Sequence, residues 1–337
     1  MIDPFYALLT LFGGLAGLIV SSNFFVDGCA SLSRSLGMST TMIGLTVVAF
    51  GTSAPEIIVS IEAARDSVPS LAIGNAIGSN IANIGLVLGL TAIITDIKTN
   101  NNLLAVNIIN PIYKSRFGHG IWLVFVTFVA VLFLSNQVLS LIESITLILM
   151  TFLITIIFIK DAKYNIPIND LEINIEIPKL SISIAIIYFL VGLILLVLSA
   201  NILINGAVSL ARFFQVDEMI IGLTIIALGT SLPELAACLS SVLKGYHGLA
   251  LGNIIGSNIL NLLTVMAIPG LLTEVILDSS IISRDIPVLI ILTLALIAYI
   301  YSMNIDTKTR FKIHISRLAG LFFLGIYVLY YLLIFIK

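Results

Sequence analysis

The chain has little charge for its length. Asp, Glu, Lys and Arg make up 10 % of its 337 residues, whereas 59 % of the residues are hydrophobic. A soluble globule of this size needs more polar surface than that composition provides, so the sequence predicts an integral membrane protein. The net charge of −2 says nothing about partners, and we expect neither a nucleic acid nor an obligate protein partner.

Cysteine and histidine are also scarce. Cys29 and Cys238 lie in apolar stretches and are too few for a disulfide framework or a metal cluster, so both are interpreted as small packing residues. His119, His247 and His314 fall in predicted connectors, and we expect them to be solvated. An intramembrane hydrolase would need an embedded histidine or an activated nucleophile. We therefore predict that the protein is not an enzyme and needs no cofactor.

Long apolar runs fill most of the sequence. Ten of them approach the ~20 residues with which a helix crosses a bilayer, and their length excludes the strands of a barrel. They lie at 5–33, 39–64, 70–96, 118–136, 139–160, 182–212, 217–243, 248–273, 286–303 and 318–336. The first run has no basic residue before it and no cleavage pattern of a signal peptide, so we expect it to remain in the mature protein. The predicted fold is an all-α polytopic bundle of ten transmembrane helices.

Basic residues are divided unevenly between the two sides of this bundle. Twelve of the 16 Lys and Arg residues fall on one side and four on the other. By the positive-inside rule the first side is cytoplasmic, and both termini are extracytoplasmic in a multi-pass protein of the plasma (inner) membrane. No connector is long enough to hold a soluble domain, the largest being 97–117 and 161–179.

The sequence repeats itself at an offset of 178 residues. IGLTVVAFGTSAPE at 43–56 aligns with IGLTIIALGTSLPE at 221–234, and AIGNAIGSNIAN at 72–83 aligns with ALGNIIGSNILN at 250–261. Each copy holds five predicted spans, an odd number, so the second copy must lie inverted relative to the first. Inverted repeats can expose a midplane site to either face in turn.

This duplication predicts the domain organisation. The first five-helix repeat covers 1–165, with its core at 39–96, and the second covers 181–337, with its core at 217–274. A cytoplasmic connector at 166–180 joins them.

Each copy puts a glutamate directly after a helix-breaking proline. Pro55 has no N–H, so the carbonyl of Gly51 loses its helical partner and the helix must kink or open. Thr52 and Glu56 are four residues apart and share a helix face. Charged residues within spans are rare and mark function by default. The second copy repeats the pattern with Gly229, Thr230, Pro233 and Glu234.

The next span adds neutral oxygen donors. Asn75, Ser79 and Asn83 recur every four residues and form one stripe. Its equivalents in the second copy are Asn253, Ser257 and Asn261. Oxygen ligands without sulfur or imidazole suit hard cations such as Ca²⁺ and Na⁺. The same stripe could instead provide hydrogen bonds between helices.

Two carboxylates at a midplane repel each other and need a counter-charge. One Ca²⁺, or two or more Na⁺, would neutralise Glu56 and Glu234. An empty site with two negative charges should resist closing into the low-dielectric interior. We therefore hypothesise obligate exchange, in which the protein changes its access only when an ion is bound. A channel would explain the cation site but not this pressure towards closure. Saturable flux that requires a counter-ion separates the two hypotheses.

The four motifs GLTVVAFGTSAPE, GNAIGSNIAN, GLTIIALGTSLPE and GNIIGSNILN resemble the two α-repeats of sodium/calcium exchangers, within the cation/Ca²⁺ antiporter superfamily, most closely the short prokaryotic type. The resemblance implies secondary active antiport of Ca²⁺ for Na⁺, by alternating access at a midplane site built around Glu56 and Glu234. The motifs do not resemble the proton/calcium branch. Whether Na⁺ or H⁺ is the counter-ion stays open.

The resemblance also implies a set of ligands. Glu56 and Glu234 would be carboxylate ligands shared by Ca²⁺ and Na⁺. The other implied metal-binding positions are Thr52, Thr230, Ala49 and Ala227 through carbonyls, Ser53, Ser231, Ser79 and Ser257 through hydroxyls, and Asn83 and Asn261. The long first and sixth spans would slide against the core to switch access.

The chain departs from many members of that family at Asn261, where they carry Asp. An acidic residue there is tied to K⁺ use in the potassium-dependent branch, so Asn261 argues against K⁺ cotransport. The site is left with two carboxylates, and the Na⁺ stoichiometry stays open.

Overall fold

The computed structural model describes residues 4–66, 68–98, 118–164, 177–216, 221, 224–225, 227–302 and 317–335. Helices dominate these residues. In chain order the α-helices are α1 (Pro4–Leu36), α2 (Thr40–Ile43), α3 (Ala49–Thr52), α4 (Ala54–Arg65), α5 (Pro69–Ala82), α6 (Gly89–Lys98), α7 (His119–Leu134), α8 (Leu141–Tyr164), α9 (Ile182–Phe213), α10 (Ala227–Gly229), α11 (Leu232–Leu243), α12 (His247–Leu260), α13 (Ala267–Leu272), α14 (Ile286–Ser302) and α15 (Arg317–Phe335). π-Helical turns occupy Gly44–Val48, Asn83–Leu88, Asn261–Val265 and Ile281–Asp285.

Each of the ten predicted apolar runs overlaps at least one of these helices. Within the described ranges, seven helices are long and apolar enough to cross a membrane. A further pair, Thr40–Thr52 and Ala54–Arg65, is bent by 40° and could supply an eighth span. The apolar helices α7 and α11 are shorter. Many large side chains on α1, α8 and α9 are exposed, Phe12, Leu149 and Ile194 among them, as expected of surfaces that face lipid. The chain is an all-α, multi-pass membrane protein.

The two longest helices, α1 and α9, pack closely along each other. A Cβ atom added at Gly14 would lie 2.5 Å from the backbone nitrogen of Leu203, and one at Gly28 would lie 2.5 Å from that of Phe189. Reciprocal contacts, again at 2.5 Å from backbone nitrogens, join Gly192 to Phe25 and Gly206 to Leu11. Small residues permit such close approach between helices in lipid. Because the partner's number falls as the residue number rises, these equivalent helices of the two copies run antiparallel.

The helices α5 and α12 meet at an equivalent pair of residues. Asn80 Nδ2 donates a hydrogen bond of 3.0 Å to the backbone carbonyl of Asn258, which lies 178 residues further on. The contact therefore joins equivalent positions of the two sequence copies. Every residue of α12 from Gly248 to Leu260 is buried, so this contact lies inside the helix bundle.

The central helix α12 packs closely against the first copy. Gly252 of α12 lies against the backbone carbonyl of Thr41, and a Cβ atom added at Gly256 would lie 2.5 Å from the carbonyl oxygen of Leu45. The glycines of α12 therefore permit close approach to the segment that leads into α3.

A short antiparallel sheet pairs two connectors. Strand β1 (Val138–Leu139) pairs with β2 (Val275–Ile276), in the register Val138 to Ile276 and Leu139 to Val275. The backbone N–H of Leu277 also donates to the carbonyl of Gln137 at 2.9 Å. This sheet joins the loop before α8 to the loop after α13.

Gly252→Ala should lower the free energy of unfolding by about 1–3 kcal/mol, because the new methyl group has no room against the Thr41 carbonyl. Gly325→Ala is the matched control, and no loss is expected because Gly325 is exposed on α15. Thermal unfolding of the two purified variants in one detergent checks this. Equal loss in both variants would contradict the close packing of Gly252.

Candidate cation-binding site

The first glutamate motif lies at the break between α3 and α4. Ser53 separates these helices with φ −80° and ψ 4°, and Pro55 occupies the first turn of α4, where its missing N–H costs no helical hydrogen bond. Glu56 lies in the same turn. The N–H of Ser53 bonds to the carbonyl of Ala49 at 3.0 Å, and that of Ile57 bonds to Ser53 at 3.1 Å. The proline thus bends the span without ending it, as its position predicts.

The second motif has the same local geometry. Ser231 precedes α11 with φ −90° and ψ 3°, and Pro233 and Glu234 lie in the first turn. The N–H of Leu235 donates to the carbonyl of Ser231 at 3.0 Å. Each glutamate therefore sits at the N-terminus of a helix, where the helix dipole favours negative charge.

The two carboxylates are buried and close together. Glu56 is 0 % exposed and Glu234 is 1 % exposed, and the two are near enough for each charge to act on the other. Within the described part of the chain, none of their four carboxylate oxygens has a hydrogen-bond partner. A buried charge normally needs an opposite charge and hydrogen bonds. This pair therefore has the character of a cation site.

Neutral oxygens from the second copy form a hydrogen-bonded cluster next to this pair. Thr52 Oγ1 donates to Asn253 Oδ1 at 3.1 Å and lies 3.4 Å from Ser257 Oγ. Ser257 Oγ also donates to Asn253 Oδ1 at 3.4 Å, and Asn253 Nδ2 contacts Cys238 Sγ at 3.5 Å. These contacts tie α3 to α12. Asn253 was not among the ligands implied by the resemblance, but it belongs to the stripe of neutral oxygen donors identified in the sequence.

Five other predicted ligand residues are buried and have side-chain atoms without a hydrogen-bond partner among the described residues. A buried polar atom without a hydrogen bond costs about 1–3 kcal/mol, so such a cluster points to a ligand. All are at most 3 % exposed. They are Ser53, Ser231, Ser79, Asn83 and Asn261.

The two asparagines share a further feature that the sequence did not predict. Asn83 and Asn261 are each the first residue of a π-helical turn, in which hydrogen bonds are displaced from the α pattern. Single π-helical turns occur frequently at functional sites. The distortion thus falls on the same position of both copies.

For three predicted ligands the structure gives less evidence of ion binding. Ala49 is buried, and its carbonyl accepts the Ser53 N–H. Thr230 is half-buried and has an interaction of its own. Ala227 begins α10, and its side chain lies outside the described residues.

The described residues contain no cluster of three or more His, Cys, Asp or Glu side chains. The candidate site therefore has two carboxylates supplemented by neutral oxygens. The prediction that His119 is solvated is wrong: it is 3 % exposed, begins α7 and packs edge-on against the Phe158 ring at 5.2 Å. His247 begins α12 and is half-buried, and His314 lies outside the described residues.

Comparison with known proteins agrees with this chemistry. A family model described as sodium/calcium exchanger protein matches residues 6–160 and 184–336. The putative antiporter CaxA of Alkalimonas amylolytica is 38 % identical over 96 % of each chain. The sodium/calcium exchanger MaX1 of Methanosarcina acetivorans is 29 % identical, over 87 % of this chain and 90 % of its own.

A solved structure is also similar. The sodium-calcium exchanger NCX_Mj, soaked with Na⁺ and Ca²⁺, superposes with a TM-score of 0.74 at 31 % identity and covers 96 % of both chains. The family model spans both halves of the sequence, each with one glutamate motif. The chain therefore belongs to the sodium/calcium exchanger family, which consists of membrane transporters and not of enzymes.

Proposed function

We propose that this chain is a secondary active antiporter that exchanges Ca²⁺ for Na⁺ at a site built around Glu56 and Glu234. Membership of the family supports cation/Ca²⁺ antiport. The observation that carries the proposal is the pair of buried carboxylates without hydrogen-bond partners among the described residues. Two such charges need a cation, because an uncompensated charge is very costly to bury.

The proposed ligands are the oxygens that surround this pair. Ca²⁺ takes about 6–8 oxygen ligands and tolerates irregular geometry. The two carboxylates supply the charge. The neutral positions are Ser53, Ser79, Asn83, Ser231, Ser257 and Asn261 through side chains, and Ala49, Thr52, Ala227 and Thr230 through carbonyls. Ca²⁺ and Na⁺ are the transported substrates, and no resident cofactor is part of the proposal.

We place this site between two inverted five-helix repeats, residues 1–165 and 181–337, with a connector at 166–180. The antiparallel pairing of α1 with α9 supports the inversion, since these helices are equivalent in the sequence repeat. The contact of Asn80 with Asn258 supports a two-fold axis near the site. Ten membrane crossings follow if α7, the bent pair and the seventh run each form one span.

Access to the site would alternate through contacts that the two copies form in turn. The cluster of Thr52, Asn253 and Ser257 closes the α12 side. In the other state the equivalent contacts would close the α5 side, and those on the α12 side would open. The inverted repeat would make the two states alike in energy, because the same contacts form in the other copy.

Electrostatics would make this alternation obligatory. The empty site holds two negative charges, and their repulsion opposes closure in a medium of low dielectric constant. One Ca²⁺, or at least two Na⁺, removes that obstacle. A channel is the alternative function, and the pairing of buried charge with a closed side favours the antiporter.

We propose the membrane orientation that the distribution of basic residues predicts. Twelve of 16 basic residues lie on one side of the ten proposed spans, which puts that side in the cytoplasm and both termini outside the plasma (inner) membrane.

Glu56→Gln and Glu234→Gln should each reduce Na⁺-dependent ⁴⁵Ca²⁺ uptake into proteoliposomes by more than about tenfold, which corresponds to roughly 1.4 kcal/mol. Each change removes one of the two charges that hold the cation. Glu62→Gln is the matched control, because Glu62 is exposed on the same helix as Glu56, and it should transport normally. Uptake driven by a pH gradient, or without any counter-ion, would replace the proposal with proton exchange or a channel.

The native chain should need no K⁺, since Asn261 leaves only two carboxylates to neutralise. Asn261→Asp adds a third charge at a buried position and should make Ca²⁺ uptake respond to K⁺. Uptake at fixed Na⁺ with and without K⁺, in the native chain and the variant, measures this. Stimulation of the native chain by K⁺ would refute the expectation.

A further inference from the structure

The helix α1 is joined to α11 by a group of polar contacts outside the cation site. Lys244 Nζ, just beyond the end of α11, lies 2.7 Å from Asp27 Oδ1 and donates to the backbone carbonyl of Asn23 at 3.0 Å. One helical turn away, Ser240 Oγ donates to Asn23 Oδ1 at 2.9 Å. Two residues of α1 thus bind two residues of the α11 segment.

These contacts bear on the cation site because α11 carries Glu234 in its first turn. Ser240 and Lys244 lie six and ten residues further along the same segment. A continuous helix transmits displacement along its axis. Movement of α1 relative to α11 would therefore act on the carboxylate from the far end of its helix.

The equivalent contact, between α9 and the α4 segment, lacks the side chains for an ion pair. At the 178-residue offset, amides replace the two α1 residues and acids replace the two α11 residues, so none of the four is basic. The four equivalents, all exposed, are Asn201, Asn205, Glu62 and Asp66. The ion pair consequently joins the first long helix to the core on one side only.

We propose that Asn23, Asp27, Ser240 and Lys244 form a latch that holds α1 against α11 in the described conformation and opens when access to the site alternates. The proposal rests on the antiport function proposed above. It follows from the packing of α1, whose glycines lie against the α9 backbone, so that α1 and α9 form one unit. A shift of that unit along α11 by one residue, about 1.5 Å, would break the 2.7 Å ion pair.

The expected strength of the ion pair is enough to shift the equilibrium between the latched and the unlatched state. The Lys244 and Asp27 side chains are 25 % and 28 % exposed, and partly exposed ion pairs shift an equilibrium by roughly twofold to fivefold. Such a pair favours the latched state without preventing the other. Its absence from the second copy makes the two access states unequal, which an inverted repeat alone would not do.

The first test measures apparent Ca²⁺ affinity from each face of the membrane, in right-side-out and inverted vesicles. Asp27→Asn, which copies Asn205, and Lys244→Gln should raise the half-saturating Ca²⁺ concentration on one face and lower it on the other, by roughly twofold to fivefold. The double change Asp27→Lys with Lys244→Asp should restore both values. Asn205→Ala is the matched control and should change neither.

Reciprocal shifts are the signature of a latch, because damage to folding would lower the maximal rate and leave both affinities unchanged. Unchanged affinities, or shifts in one direction on both faces, would overturn the proposal. If the native chain shows no Na⁺-dependent uptake, the proposed function fails, whereas normal native uptake with unaffected variants refutes the latch alone.

A second test needs no transport. Asn23→Cys and Ser240→Cys leave the Asp27–Lys244 ion pair in place and, joined by a short cleavable bifunctional thiol reagent, report how often that pair holds α1 against α11, since the native Cys29 and Cys238 are buried. Asp27→Asn in this background should slow cross-linking by roughly twofold to fivefold. An unchanged rate would overturn the latch even if the function is different.

In transporting vesicles the cross-linked protein should stop exchanging ions and should recover when the cross-link is cleaved. Continued exchange by the cross-linked protein would refute the need for the latch to open.

Discussion

Two negative charges in the interior of a membrane protein constrain everything around them. Glu56 and Glu234 are almost fully buried, and their carboxylate oxygens have no hydrogen-bond partner among the described residues. The chain places each at the start of a helix, where the backbone dipole favours negative charge. In the proposed function, ions from outside meet the remaining cost, which would link the conformational stability of the protein to its substrates.

The surrounding helices depart from regular geometry at the proposed ion ligands. Proline breaks precede both glutamates, and π-helical turns begin at Asn83 and Asn261. In lipid, irregular backbone persists only where it faces protein or a polar cavity. The distortions thus mark the same region as the charges, although they arise from different residues.

Much of this arrangement could be predicted from particular residues. Pro55 fixes the bend because it has no N–H, and the 178-residue offset identifies equivalent positions in the two copies. The bonding of Thr52 to Asn253 could not be predicted, since spacing within a helix says nothing about which helix lies opposite. The contact of Gly252 with the Thr41 backbone was also beyond sequence reasoning, because a small-residue motif does not show which backbone lies against it. Burial of His119 was missed, since a helix start was mistaken for a solvated connector.

The close packing of Gly252 and Gly256 has a consequence for how substitutions at their equivalents, Gly74 and Gly78, are interpreted. In the proposed cycle each copy of the glycine motif takes its turn in the tight arrangement, so a side chain that fits one conformation obstructs the other. A stability measurement samples only the populated conformation and would score such a change as harmless. The permitted size at these positions is therefore set by the more crowded of two structures, and the second copy already displays the contacts that the first must be able to make.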